Sequence, residues 1–330
     1  MTIPTTMRAL QQTSLEGPKD LRLVNAAPVP VPRRGEVLIR VIAAGVNFVD
    51  ISRARGTFGN NPQPPFVAGF EAAGEVVAVG EGVTNPARGA CVIGAGPGAF
   101  AEYMVVPAAA AMPVPTGWTA EQALGLVVNW PTALAAIKLG RLAGGDETVL
   151  IHAAAGATGQ AAVKLAKHHG ARVIATASPS KHDSVRAAGA DHVVDSRDPQ
   201  LAAAVLELTG GRGADLVLES AGGATFGASL AATKRVTGRV VVFGLAGGDA
   251  SISNWDLVYK HQVQIIGFNL GVLIQAAPQI FGEIMGELGA LIAAGVVAPA
   301  RVKAYALVDG PKVLVDLENR ETIGKLALIP

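Results

Sequence analysis

The segment Thr148-Val-Leu-Ile-His-Ala-Ala-Ala-Gly-Ala-Thr-Gly-Gln160 carries the spacing best suited to chemistry in this chain. An apolar run feeds a loop of small residues, and the loop opens onto a helix-forming stretch. Set against G-x-G-x-x-G, Ala154 stands in the first place, while Gly156 and Gly159 hold the other two. Without a side chain, Gly156 lets a pyrophosphate approach the backbone, and Gly159 lets the helix pack tightly on the strand. The residues Ala155, Gly156, Ala157, Thr158 and Gly159 then sit at a helix N-terminus, where free N–H groups and the helix dipole favour phosphate. The chemistry implied is the binding of a dinucleotide.

The next strand bears on which dinucleotide. An NAD site places Asp or Glu about 20 residues after the loop to accept hydrogen bonds from the ribose. Here that region reads Ala175-Thr-Ala-Ser-Pro-Ser-Lys-His182, with no acid but with Ser178, Ser180 and Lys181. Hydroxyls and an ammonium suit a 2′-phosphate, and no carboxylate repels it. NADPH is the expected cofactor. The same residues also suit a plain turn with a helix cap.

Positioning such a loop requires a particular sheet. Apolar runs at 148–152, 172–176, 192–195, 215–219, 239–243 and 264–267 alternate with helical patterns at 158–168, 180–188, 199–208 and 225–234. That alternation predicts a doubly wound parallel sheet covered on both faces. The first third instead has short strands at 36–41, 75–79 and 101–106 between turns, which predicts an antiparallel, barrel-like β domain. A long helical stretch is expected over 273–294, and final strands near 301–307 and 326–329 are expected to rejoin the first domain. The expected boundaries are 1–122 with 290–330 for the β-rich domain and 123–289 for the nucleotide domain.

Composition narrows the function. The chain has 330 residues, 50% hydrophobic and 16% charged, with a net charge of +1. That suits two well-packed domains and gives no footprint for nucleic acid or an anionic membrane. A single cysteine, Cys91, excludes an intrachain disulfide and a thiolate cluster for zinc. The histidines at 152, 168, 169, 182, 192 and 261 are read as surface or strand-end residues. No apolar run reaches the roughly 20 residues of a membrane span, and the first residues lack an apolar signal core. A cytoplasmic protein is expected.

Several motifs carry a family resemblance: Gly45-Val-Asn-Phe-Val-Asp50, Gly69-Phe-Glu-Ala-Ala-Gly74, His152-Ala-Ala-Ala-Gly-Ala-Thr-Gly159, Ala187-Ala-Gly-Ala-Asp191, Glu219-Ser-Ala-Gly222 and Gly324-Lys-Leu-Ala-Leu-Ile-Pro330. Together they resemble the zinc-independent quinone oxidoreductases, zeta-crystallin-like members of the medium-chain dehydrogenase/reductase superfamily. The resemblance implies a Rossmann sheet plus a discontinuous β-rich GroES-like barrel domain. The zinc-dependent alcohol dehydrogenases of that superfamily carry ligands where this chain has Asn47, Phe70 and Val128, and none of these offers a thiolate or imidazole. No metal is expected.

The resemblance also implies roles. By that resemblance Asn47 is expected near the nicotinamide, orienting the substrate. Thr132, Phe243, Gly244, Phe268, Asn269 and Lys325 contact the cofactor, and Asp50, Ser52 and Phe58 line the substrate pocket. Relatives carry tyrosines where this chain has Ser52 and Phe58, so no phenol orients a quinone oxygen there. The expected activity is hydride transfer from NADPH to a quinone or another conjugated carbonyl, with Asn47 and backbone amides stabilising charge on the acceptor oxygen. The alternatives are an enone/enoyl C=C reductase or a zinc-free carbonyl reductase, with a non-catalytic NADPH-binding protein ranked below them. The apolar segment 263–268 is expected at a sheet edge, where pairing with a second copy would give a homodimer.

Overall fold

The computed structural model describes residues 2–59 and 62–330. The chain forms two compact units, residues 129–298 and residues 1–128 with 299–330.

The first of these units is the parallel sheet. Its strands are Thr148–Ile151, Arg172–Ala177, His192–Asp195, Leu216–Glu219, Arg239–Val242 and Gln264–Gly267. Numbered along the chain, they lie in the order 3-2-1-4-5-6 and every pair is parallel. The order reverses between the first and fourth strands, where a doubly wound sheet binds its ligand. Leu150, Ile174, Val217 and Val240 are fully enclosed, because helices such as Ala157–His168 and Gly223–Ala232 cover the sheet. The expected helix over 273–294 is in fact two, Leu270–Ala276 and Pro278–Ala293. Pro278 has no N–H and pushes Ala277 out of helical geometry (φ −141°, ψ 59°), so the chain bends there.

The second unit is β-rich. One sheet runs Val302–Ala306, Lys325–Ile329, Glu36–Val46, Glu71–Val79, Cys91–Ala95 and Met112–Pro113, and Tyr103–Pro107 also pairs with Glu36–Val46. A smaller sheet joins Leu21–Pro28, Thr6–Gln12 and Phe66–Val67. Pairing is antiparallel except between Val302–Ala306 and Lys325–Ile329, which are parallel and joined by the helix Gly310–Glu318. A parallel pair needs such a crossover. Leu326 pairs with Val46, so the last strand closes onto the N-terminal part of the chain and makes the domain discontinuous. Leu10, Ile39, Phe100 and Leu328 form its centre.

The boundaries fall at 128/129 and 298/299, where the sequence pointed to 122/123 and 289/290. Two local interactions account for the displacement. The Gly125 N–H donates to the Glu71 carboxylate (2.6 Å), which keeps 123–128 with the β-rich unit. The helix Pro278–Ala293 continues past 289 without a break.

Candidate active site

The nucleotide loop begins where the first parallel strand ends. Ala153 adopts a left-handed conformation (φ 50°), and the Ala154 N–H donates to Thr176 O on the neighbouring strand (3.0 Å). The Gly156 N–H then turns back to Ala153 O (3.0 Å), and the helix Ala157–His168 starts with Gly156 as N-cap and no capping side chain. Its first N–H groups have no intrahelical acceptor. The two glycines differ. A Cβ on Gly159 would lie 2.6 Å from Ala154 Cα, so the close helix–strand approach requires glycine. A Cβ on Gly156 would meet only Ala153 O at 3.4 Å and would otherwise fill open space. That space beside an uncapped helix start fits a pyrophosphate. Ala155, Ala157 and Thr158 complete the loop; Thr158 Oγ1 accepts from Asn129 Nδ2 (3.0 Å), and Thr132 is half-buried on the same helix as Asn129.

At the end of the second strand, Ser178 is half-buried and Lys181 is 9% exposed, in the short turn Pro179–Lys181. Asp195, opposite Ala177 in register, turns its Oδ1 to the Arg197 N–H (3.0 Å). Phe243 and Phe268 directly follow the fifth and sixth strands, and their ring centroids are 6.3 Å apart. Gly244 is sterically required, since a Cβ there would lie 2.6 Å from Ser220 O. Asn269 is exposed and caps the helix Leu270–Ala276 through Val272 N (3.1 Å).

A polar network that the motifs did not flag sits under this loop. His152 follows the end of the first strand and is 2% exposed, so it is a strand-end residue but not a surface one; its Nδ1 lies 3.0 Å from Thr176 Oγ1 and its Nε2 2.9 Å from Ser229 Oγ. Ser229 in turn donates to Glu219 Oε2, while Glu219 Oε1 accepts from Ala221 N (2.6 Å) and Gly222 N (2.9 Å). Burial holds the imidazole below its ordinary pKa, against the opposing pull of Glu219. The available signal was a polar residue terminating an otherwise apolar strand, at both His152 and Glu219.

The β-rich unit contributes a second cluster, described by itself. Glu71 is 0% exposed; its Oε2 pairs with Lys325 Nζ (2.5 Å) and accepts from Asn47 Nδ2 (3.0 Å). Asn47 Nδ2 also donates to Gly45 O (3.2 Å), and its Oδ1 accepts from Lys325 (2.8 Å). Asn47 and Asp50 cap the helix Phe48–Ala54 reciprocally, with Asp50 Oδ2 accepting from Asn47 N (2.8 Å). Burial raises the Asp50 carboxyl to about 7, opposed by the Asn47 N–H and by Lys325. Its Oδ1 is buried without a hydrogen-bond partner. The motif Gly69–Gly74 does not mark Glu71 for this role, because its partner Lys325 is distant in sequence.

On the same helix, Ser52 turns its hydroxyl back to Phe48 O (3.5 Å), and Phe58, beyond the helix, is exposed. Phe70 lies under the Arg53 guanidinium, 5.7 Å from its ring centroid. Among the described residues, no group of three or more His, Cys, Asp or Glu side chains is arranged to hold a metal ion.

A doubly wound sheet with an open, uncapped helix start beside its switch point defines a dinucleotide-binding fold. Comparison with known proteins narrows that class. Family models match the alcohol dehydrogenase GroES-like domain over residues 33–116 and the zinc-binding dehydrogenase over 157–285. Mycobacterial Rv1454c, solved in complex with NADPH, is 34% identical with a TM-score of 0.91, covering 98% of this chain and 100% of that one. Escherichia coli quinone oxidoreductase, also complexed with NADPH, is 31% identical with a TM-score of 0.87, covering 98% and 100%. Erythronolide synthase EryA2 of Saccharopolyspora erythraea is 37% identical over 90% of this chain, but the chain spans only 8% of that synthase. The chain belongs to the quinone oxidoreductase family of the medium-chain dehydrogenases/reductases. It combines a GroES-like domain with a Rossmann sheet.

Proposed function

We propose that this protein is an NADPH-dependent, zinc-independent reductase acting on a conjugated acceptor, either a quinone or an α,β-unsaturated carbonyl. The observation that carries the proposal is the loop at Ala153–Gly159, with its uncapped helix start and the open space at Gly156. NADPH-bound relatives support the choice of cofactor. Bound NADPH would supply the hydride.

The chain's own residues do the rest. Gly156 and the first-turn N–H groups bind the pyrophosphate, and Ser178 with Lys181 takes the 2′-phosphate. Phe243, Gly244, Phe268 and Asn269 stand at strand ends on the nicotinamide side. Asn47, Phe70 and Val128 cannot ligate zinc through thiolate or imidazole, so charge on the acceptor oxygen falls to hydrogen-bond donors. Asn47 is the proposed donor. Its amide hydrogens are held by Gly45 and Glu71, so it would serve the acceptor by exchanging one of them. Asp50, Ser52 and Phe58 remain the proposed substrate-side residues. Two copies are proposed to pair through Gln264–Gly267, which ends the sheet and carries half-buried Ile265 and Ile266.

Initial rates of NADPH oxidation after EDTA dialysis test the proposal. Turnover of quinones or enones, with isolated ketones slower, supports it. Turnover confined to isolated ketones, or NADPH binding without turnover of any acceptor, sinks it.

A further inference from the structure

We infer that His152, Ser229, Glu219 and Thr176 form a clamp that holds the nucleotide loop in its binding conformation. They are positioning residues for the cofactor, not members of the catalytic set. The inference rests on the NADPH reading above.

The argument starts at Ala153. Its left-handed backbone (φ 50°) is unfavourable for any residue with a Cβ, and it persists only where the surroundings enforce it. That conformation sends the Ala154 N–H to Thr176 O and lets Ala153 O receive the Gly156 N–H, so the phosphate cradle depends on it. The preceding residue, His152, has both ring nitrogens engaged, by Thr176 on the second strand and by Ser229 on the helix Gly223–Ala232.

Hydrogen-bond polarity gives the clamp one direction. Glu219 Oε2 can only accept, so it takes the Ser229 hydroxyl proton. Ser229 Oγ also lies 2.9 Å from Thr225 O, but a carboxylate is the stronger acceptor. Ser229 Oγ therefore accepts from His152 Nε2–H, leaving Nδ1 to accept the Thr176 hydroxyl. Every polar atom of the imidazole is satisfied in a neutral ring, in keeping with the downward pull of burial. The serine stands between histidine and carboxylate and is 0% exposed, so this is not the order of a nucleophilic triad, in which histidine lies between the other two. The chain of bonds ties together the ends of the first, second and fourth strands, on both sides of the point where strand order reverses. Fixing the loop in advance lowers the ordering cost of binding.

Ser229→Ala and His152→Gln test this, with Thr176→Val as the mildest variant should the others fail to fold. Each folded variant is expected to raise the NADPH Kd and the NADPH KM about tenfold, with kcat at saturating NADPH changed less than twofold. Adding Ala153→Gly to His152→Gln is expected to recover at least half of that loss, since glycine adopts the left-handed conformation without strain. Folded variants with lowered melting temperature but wild-type Kd and KM would show a merely structural network and overturn the clamp. Wild-type protein that binds no NADPH overturns both the clamp and the cofactor reading, so the two failures are distinguishable.

Discussion

Gly156 and Gly159 belong to one loop, yet a methyl group at each has a different consequence. At Gly159 it would press on Ala154 Cα from 2.6 Å; at Gly156 it would enter open space. Gly159→Ala is expected to cost about 2 kcal/mol or more of stability, read as a fall of several degrees in the melting temperature. Gly156→Ala is expected to melt within about 2 °C of wild type while weakening NADPH at least tenfold in a fluorescence titration. Equal melting losses in the two variants, or unchanged NADPH affinity in Gly156→Ala, would contradict the assignment. Asp50 makes a pH-dependent prediction. Burial raises its carboxyl from the ordinary 3.8 to about 7, so the folded protein keeps a proton that the unfolded chain releases in that range. Its contribution to stability is complete below the unfolded value and is lost as pH rises through about 7. The slope is about 1.4 kcal/mol per pH unit. Asp50→Asn cannot titrate, so urea melts from pH 4 to pH 8 should show the variant gaining on wild type as pH rises. A constant difference would refute the burial argument.

The buried pair Glu71–Lys325 acts between elements. It joins the strand Glu71–Val79 to the start of the C-terminal strand Lys325–Ile329, and through Asn47 it reaches the helix Phe48–Ala54. Glu71→Gln leaves the Lys325 charge buried without its carboxylate, and a loss of about 3 kcal/mol is expected in chemical denaturation. A loss below about 1 kcal/mol would place the pair among surface-like contacts. This pair also shows what the sequence conveys and what it does not. Short apolar pairs bounded by polar residues or glycine made 192–195 and 264–267 legible to the residue, although both are half-buried strands at the two edges of the sheet, and the Gly pattern located the loop Ala153–Gly159. Pro278 interrupts a stretch whose apolar periodicity otherwise continues, so periodicity alone reads as one helix where the chain forms two. Glu71–Lys325 and His152–Ser229–Glu219 were illegible as sets. Periodicity reports which face is buried, whereas a hydrogen-bonded cluster depends on which strand ends the topology brings together.

At the scale of the whole molecule, each unit holds one buried polar cluster. One carries the loop Ala153–Gly159 with the His152–Ser229–Glu219 network; the other carries the Asn47–Glu71–Lys325 cluster. No helix among the described residues is long and apolar enough to cross a membrane. The edge strand Gln264–Gly267 sets the expectation for assembly: light scattering at micromolar concentration should give twice the 33.5 kDa chain mass, and Ile266→Lys should halve it. A wild-type mass equal to one chain would remove the dimer proposal while leaving the chemistry standing. The chemistry is tested most directly by isotope transfer from each stereoisomer of 4-deuterated NADPH to an enone in ordinary water, read by mass spectrometry and NMR. One stereoisomer should deliver one deuterium to the β-carbon of the saturated product, with the α-hydrogen drawn from solvent. Saturated product without deuterium from either stereoisomer would contradict direct hydride transfer to a conjugated acceptor.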